Sequence, residues 1–466
     1  MNFLKKLLSF SIGSFGSGII AFVSIPFLTR VLSPEEYGSG MLFISVAMVF
    51  SNISILGLDQ SYARFYDRIN PRILLKKISF ITFFSIIVLS LIVIINKSFI
   101  NSFFNNKYEY AYLLILFMFT QNLFRYTLVI LRMEQKGYLF SLLYIGQRLT
   151  ELIFLVIFIS LFSAIHLYMI FSSILGFILP SIIGIFILNQ LITKRSELSI
   201  LETSVESKSL LKFGVPLMMS TVLITILLNI DKVILSFFVS NFELGIYTSA
   251  LQIALSLNII QSAFNSFWVP YAYTVSQEEN FKEKFNIINI FLTLIMVVVA
   301  IILIHFKGAF SILLGKEFKD SINLIPMLVL MPVFYTLSET VSIGINLYKK
   351  SYLHLRISLF VLIFQTIILV ILIKNFNTLG ASISVGSSFL LLYVLRLFTG
   401  QKHLNFIKNT KILFTIIITL YSYALVESFY DNAIISIMFI VFMLFMLFIL
   451  LKKNTKFITS QFRRKV

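Results

Sequence analysis

The sequence predicts an all-α polytopic membrane protein of about fourteen transmembrane helices: two six-helix bundles related by a parallel pseudo-repeat, plus two C-terminal helices. Three observations predict it: the composition, the spacing of apolar runs, and the alternation of Lys and Arg between loops. Of 466 residues, 58% are hydrophobic and 12% charged, and the mean hydropathy is +0.96. Soluble domains carry about 25% charged residues, so this chain could not cover a water-facing surface. Its 51 Phe and 20 Tyr exclude disorder, because disordered segments are polar and poor in aromatics.

A span needs roughly 20 mostly apolar residues. The first, 7–29, follows the basic flank of MNFLKKLLSF; no small-residue cleavage site follows, so it reads as an uncleaved span. The turn Ser33–Gly38 admits the second, 39–58, and the polar stretch 59–77 separates it from 78–95. Spans 111–131, 139–161 and 166–188 complete an N-terminal bundle over 1–190. A cytoplasmic linker, 191–209, leads to 210–238, a long span interrupted by Asp231 and Lys232. Neighbours on a helix point about 100° apart, so these two are not expected to form one neat pair. Spans 245–269, 285–306, 321–341, 354–373 and 379–399 complete a second bundle over 210–400. The segment 401–466 holds two extra helices, 412–427 and 434–451, and a basic tail.

Net charge is +18. With the N-terminus placed in the cytoplasm, alternate loops hold 26 Lys and Arg inside and 7 outside, the bias that orients membrane proteins. Both termini are therefore expected in the cytoplasm, and the excess charge requires no nucleic-acid partner. Absence of Cys excludes disulfides and thiolate chemistry. His166, His305, His354 and His403 lie far apart without ligand spacing, so no metal site or cofactor is expected.

The repeat is visible directly. Leu7-Leu8-Ser9-Phe10 opens the first span and Leu210-Leu211-Lys212-Phe213 the seventh. Each span is followed by a Ser-x-x-Glu-x-Gly turn, Ser33–Gly38 and Ser240–Gly245, at an offset of 207 residues. Six spans separate the copies, so both take the same orientation, one of the repeat arrangements of secondary transporters.

The run Pro26-Phe27-Leu28-Thr29-Arg30-Val31-Leu32-Ser33-Pro34-Glu35-Glu36-Tyr37-Gly38 resembles the Wzx-type polysaccharide and O-antigen flippases of the multidrug/oligosaccharidyl-lipid/polysaccharide exporter superfamily. Leu56-Gly57-Leu58-Asp59-Gln60-Ser61-Tyr62-Ala63-Arg64-Phe65 and Asn229-Ile230-Asp231-Lys232-Val233-Ile234-Leu235 carry the same resemblance. It implies a multi-pass protein of the bacterial inner membrane, not an enzyme. Such a protein moves an undecaprenyl-diphosphate-linked oligosaccharide, an O-antigen or capsule repeat unit, from the cytoplasmic to the periplasmic leaflet. It further implies membrane lipids, a polysaccharide polymerase and a chain-length regulator as partners.

The diphosphate of such a substrate needs cations on a shielded route, since one charge at mid-bilayer costs a few kcal/mol or more. The expected substrate-binding residues are therefore the charges within or at the ends of spans. Arg148 lies roughly 14 Å into the fifth span, with Glu151 three residues on as a rival partner. Arg125 lies in the fourth, Arg64 at the cytoplasmic mouth and Lys232 in the seventh. Arg30, on the outer side, is expected either to bind the departing diphosphate or to pair with Glu35 or Glu36 and close a gate. Arg356 and Arg396 read as anchors near helix ends. Asp231, Glu339 and Asp59 are the expected ion-coupling carboxylates; a proton or sodium gradient is the expected drive, since no Walker-type motif occurs. Gly13, Gly16, Gly18, Pro26, Gly214 and Pro216 mark flexible or closely packed points in the first span of each repeat. Tyr62, Tyr66, Tyr144, Trp268, Tyr271 and Tyr273 are candidates for stacking on sugars. The competing readings are a cation-coupled drug antiporter of the same superfamily and a membrane polysaccharide polymerase. The short outer loops, which hold no His-based or paired-carboxylate constellation, argue against the polymerase.

Overall fold

The computed structural model describes residues 3–105, 108–162, 165–198, 206–348, 350 and 352–463, and no strand occurs among them. The helices, in order, are α1 (Phe3–Val31), α2 (Pro34–Ser54), α3 (Leu58–Phe65), α4 (Pro71–Ile95), α5 (Lys97–Phe103), α6 (Tyr110–Met133), α7 (Gly137–Leu161), α8 (His166–Leu198), α9 (Ser207–Leu227), α10 (Ile230–Phe238), α11 (Asn241–Leu255), α12 (Asn258–Val275), α13 (Phe281–His305), α14 (Phe310–Leu313), α15 (Ile325–Leu347), α16 (Tyr352–His403), α17 (Thr410–Phe429) and α18 (Ala433–Arg463). The expected linker 191–209 lies partly outside the described residues, and α8 occupies its first part to Leu198.

Thirteen runs among the described residues are long and apolar enough to cross a membrane. One of them, α16, has 52 residues, roughly 78 Å at 1.5 Å per residue, against a hydrocarbon core of about 30 Å. It is two helices merged at Asn377, where φ is 47° and ψ −130°. A Cβ on Gly380 would stand 2.4 Å from the Leu372 carbonyl oxygen, and Ser384 Oγ donates to the Gln365 carbonyl at 3.1 Å. The two arms therefore fold back on each other, and counting them separately restores the expected fourteen.

Three predicted spans change shape. The second starts early, at Pro34, because Ser33 caps it and Pro34 and two glutamates fill its first turn. It stops at Ser54, and Gly57 at φ 66° turns the chain into α3, a left-handed conformation that costs glycine little. The seventh breaks into α9 and α10 at Leu228–Asn229, and the eighth into α11 and α12 at Ser256–Leu257.

The repeat has a structural counterpart. Ser33 and Ser240 are both N-caps, at φ −67°, ψ 158° and φ −67°, ψ 159°, and each side chain accepts from the backbone N–H of the glutamate three residues on. The first repeat runs through α1, α2, α4, α6, α7 and α8. The second runs through α9–α10, α11–α12, α13, α15 and the two arms of α16, with α17 and α18 added.

Two compact units are present: unit 1 comprises Met1–Ser24 and Val31–Val233, unit 2 Ile25–Arg30 and Ile234–Val466. Unit 1 thus takes in α9, which the sequence segments placed with the second bundle. The reason is a close crossing. A Cβ on Gly57 would fall 2.1 Å from the Gly214 carbonyl oxygen, and Ser61 Oγ donates to the Leu210 carbonyl at 2.8 Å. Unit 1 is packed around Leu58, Tyr62, Tyr66, Leu74, Ile78 and Leu131. In unit 2, α15 is buried along nearly its whole length.

Candidate functional site

Apolar helices gain no hydrophobic stabilisation from each other in lipid, so polar groups within them mark constraint or function. In unit 1, Asp59 at the start of α3 is 2% exposed. Its Oδ2 receives Arg125 Nη2 at 2.9 Å and Nε at 3.0 Å, and Gln60 Nε2 at 3.2 Å. Arg125 Nη1 also donates to Asn52 of α2, whose amide donates to Thr225 Oγ1 of α9 at 3.0 Å. Two predicted residues from different classes, a substrate cation and a coupling carboxylate, are therefore partners of each other. Asn52 and Thr225 complete the network; nothing in their local sequence singled them out.

Arg148 Nη1 meets Glu151 Oε2 at 2.8 Å, and Glu151 also accepts from Gln147 Nε2 at 3.0 Å and from Ser173 of α8. The carboxylate is thus held by three donors, while the Arg148 side chain keeps 41% exposure. Its direction follows from the helix. Leu142, Leu149, Ile153 and Val156 mark the outward face of α7. At about 100° per residue, Arg148 lies roughly 120° from the middle of that face. It falls between Ser141 and Ile145, against which Gly13 and Gly16 of α1 pack, and Glu151, against which Gly176 of α8 packs. Arg148 therefore faces away from the lipid stripe with guanidinium donors to spare.

Arg64 is exposed on α3, its guanidinium 4.3 Å from the centre of the Phe213 ring of α9. Asp231 and Lys232 are both buried in the first turn of α10. Lys232 Nζ lies 3.7 Å from Asp231 Oδ1 and donates to Asn229 Oδ1 at 3.0 Å and the Leu228 carbonyl at 3.3 Å. The expectation that these neighbours could not pair is corrected: the break at Leu228–Asn229 lets the lysine turn back onto the end of α9.

In unit 2, Glu339 of α15 receives Arg396 Nη1 at 2.8 Å, and the same nitrogen donates to Ser338 Oγ at 2.9 Å. The Arg396 side chain is 5% exposed and that of Glu339 21%. Arg396 is thus an interior charge of α16, which corrects its reading as an interface anchor. Trp268 Nε1 donates to the Glu339 carbonyl at 3.2 Å, so Trp268 is fixed in the core, as Tyr62 and Tyr66 are in unit 1. These three are not placed to stack on a sugar; Tyr273 is exposed. A further buried pair, Lys307 and Glu427 at 3.4 Å, joins the end of α13 to α17, and Ser436 of α18 donates to the same glutamate.

Arg30 does not meet Glu35 or Glu36. Its Nη2 donates to the Ile312 carbonyl at 2.9 Å, where Thr29 packs against Gly315. Glu36 turns instead to His166. Among the described residues, no group of three or more His, Asp or Glu is arranged to hold a metal ion.

The common feature is charge balance. Arg125, Arg148, Lys232, Lys307 and Arg396 each stand within 4 Å of a carboxylate, so buried polarity runs through both units without a bare buried cation among them.

Comparison with known proteins places this arrangement. The chain resembles the solved structure of the lipid II flippase MurJ in an inward closed conformation, at 19% identity over 96% of this chain and 99% of that one, with a TM-score of 0.64. It also resembles an inward-facing multidrug resistance MATE family transporter of the MOP superfamily, at 16% identity over 83% and 94%, with a TM-score of 0.60. No match is found among curated proteins. At such identities the likeness is one of fold. A family model described as polysaccharide biosynthesis protein matches residues 3–276, more than half of the chain, and the Wzx-type resemblance is consistent with it. The chain therefore belongs to the polysaccharide biosynthesis protein family and shares the fold of those two solved structures.

Proposed function

We propose that this protein flips an undecaprenyl-diphosphate-linked oligosaccharide, an O-antigen or capsule repeat unit, from the cytoplasmic to the periplasmic leaflet of a bacterial inner membrane. The polyprenyl tail stays in lipid while the headgroup follows a polar route through the protein. Access alternates between the two sides and is driven by an ion gradient. One observation carries the reading: in a member of a polysaccharide biosynthesis family, Arg148 is turned from the lipid-facing stripe of α7 with donors left over after Glu151 is satisfied. A diphosphate offers oxygen acceptors that such a guanidinium can grip in pairs. Arg125, by contrast, is engaged by Asp59 and Asn52, so it binds an anion only by exchanging partners. Arg64 gathers the headgroup at the mouth, and Arg30 and Lys232 serve its passage. Asp59, Asp231 and Glu339 serve the coupling ion. A polysaccharide polymerase and a chain-length regulator act downstream.

The test is translocation of a fluorescent undecaprenyl-diphosphate-linked oligosaccharide in proteoliposomes. Arg148→Glu is expected to lower the rate at least about tenfold, the loss of one charge-assisted contact, with normal insertion in the membrane. Full activity in that variant removes Arg148 from the route. In cells, deletion is expected to strand lipid-linked units in the inner leaflet; sensitivity to cationic dyes with normal surface glycan would indicate a drug antiporter instead.

A further inference from the structure

A second cluster of titratable groups lies at the end of unit 1 where α2, α6 and α8 begin. His166 is the first residue of α8, with its side chain 5% exposed. Its backbone N–H donates to Glu36 Oε2 at 2.6 Å, its Nδ1 contacts the same oxygen, and its Nε2 lies 2.6 Å from the Tyr110 hydroxyl. The Tyr108 ring stands edge-on to the imidazole, and Tyr110 stacks against it. Glycine permits the approach: a Cβ on Gly40 would lie 2.9 Å from Met169 Sδ and 3.5 Å from His166 Cβ. Glu36 keeps 19% exposure and is the more open member of the cluster's ion pair.

Both charge states of the imidazole fit this cage. When neutral, Nδ1–H donates to Glu36 and Nε2 accepts from the Tyr110 hydroxyl. When protonated, both ring nitrogens donate, and the Tyr110 oxygen changes from donor to acceptor. No side chain need move, and the imidazolium is paired with a carboxylate, so a proton can be held in a buried place without a bare charge. Histidine is the side chain whose ordinary range lies within pH 5–8. Among the described residues, other titratable groups of this end include Glu35 and Tyr37 on α2, Tyr108 before α6, and Glu109, which is occupied by Lys97 and Asn101. At the corresponding turn of unit 2, Glu243 instead folds back on Ser240.

We propose that Glu36, His166 and Tyr110 form a proton-binding site at the end of unit 1 where α2, α6 and α8 begin, and that proton uptake there, from the outer side, drives the export step. The coupling half of this statement rests on the flippase reading above. It adds a site to the three carboxylates expected to couple.

The experiment uses the full chain in two preparations. In nanodiscs with 13C-labelled histidine there are four histidine signals, and His166→Gln identifies the one from His166. That signal is followed across the range in which histidines ordinarily change charge, about pH 5–8, and is expected to report proton uptake that Glu36→Gln, which removes the negative partner, alters. A signal that shows no proton uptake, or that ignores Glu36→Gln, overturns the site. In proteoliposomes, translocation of the fluorescent lipid-linked oligosaccharide should rise as outer pH falls, approaching about tenfold per pH unit, the limit for one proton. His166→Gln should flatten that profile. Tyr110→Phe, which keeps ring and bulk, should shift the profile along the pH axis and guards against a His166→Gln protein that fails to fold. An unchanged slope in His166→Gln overturns the coupling role. If the wild type moves no lipid-linked oligosaccharide at any pH, the flippase reading and the coupling role fall together, and the histidine titration still decides the site.

Discussion

Ser33 and Ser240 cap equivalent helices with almost the same backbone angles, yet the glutamate three residues on serves different ends in the two units. Glu243 closes a capping box with Ser240, a purely local arrangement. Glu36 leaves its cap and reaches across to His166, 130 residues away in the chain. The units differ in a second way. Arg125 and Glu339 each lie eight residues before the end of the fourth span of their repeat, at Met133 and Leu347. Each forms an ion pair, but with opposite sign: Arg125 meets a buried aspartate, Glu339 a buried arginine. Duplication preserved the helix starts and the depth at which an ion pair is placed. It did not preserve which partner carries which charge.

The ion pairs yield the largest expected effects. In unit 1 the carboxylate is buried and Arg125 is 27% exposed; in unit 2 the cation is buried and Glu339 is more open. Removing one partner of a buried pair costs about 3–5 kcal/mol when the charge left behind cannot reach water. Arg125→Met should therefore destabilise more than Asp59→Asn, and Glu339→Gln more than Arg396→Met. The milder member of each pair should cost roughly 1–2 kcal/mol. Thermal unfolding of the four purified variants measures this; the same order of cation and carboxylate loss in both units would break the comparison.

The turns give a smaller contrast. Ser240→Ala should cost about 1 kcal/mol through its cap, and Glu243→Gln a few tenths. Glu36→Gln should exceed Glu243→Gln by about 1–2 kcal/mol, because it leaves buried donors of His166 with a weaker acceptor. Equal melting points for Glu36→Gln and Glu243→Gln would mean that the reach to His166 contributes nothing.

The smallest effect separates burial from charge at one end of unit 1. Lys97 and Glu109 pair at 2.8 Å on the surface, beside the buried Glu36 cluster. The hydrogen bond from Lys97, then that from Asn101, holds the Glu109 carboxyl below its ordinary 4.5. The hydrogen bond to Glu109 holds the Lys97 amine above its ordinary 10.5. The glutamate's share of stability is thus present above about pH 4.5 and lost as pH falls through its lowered folded value. The lysine's share is present below about pH 10.5 and lost as pH rises through its raised folded value. Lys97→Met should shift the melting point only slightly, with the shift vanishing in high salt. A salt-resistant shift would show this pair to be as sheltered as its neighbours.

Residue types and spacing settled much of this. Apolar runs of span length, basic residues gathered in alternate loops and two Ser-x-x-Glu turns sufficed for a fourteen-span repeat protein, because lipid forces each span to satisfy its own backbone. Helix starts were legible because caps act within three or four residues. Breaks within spans were less so: Leu228–Asn229 and Ser256–Leu257 contain neither Gly nor Pro, whereas the Asn377 reversal falls in the gap that the apolar runs left between 354–373 and 379–399. Candidate charges could be named singly, as Asp59, Arg125, Arg148 and Glu339 were.

Glu151, three residues from Arg148, could be named as its partner, but the partners distant in the chain could not. Asp59 and Arg125 are 66 residues apart, Glu339 and Arg396 57, Glu36 and His166 130. A helix sets which face a side chain occupies, every 3.6 residues. Which face of another helix lies opposite depends on how the spans pack, on glycine crossings such as Gly57 against Gly214 and on the volumes between them. The sequence by itself determined the membrane class, the repeat and several of the charges that lie within spans. Only the tertiary structure decided which of the distant charges neutralise one another, and that Arg148, though paired with Glu151, keeps guanidinium donors to spare, because electrostatic pairing acts over a few ångströms of space and takes no account of distance along the chain.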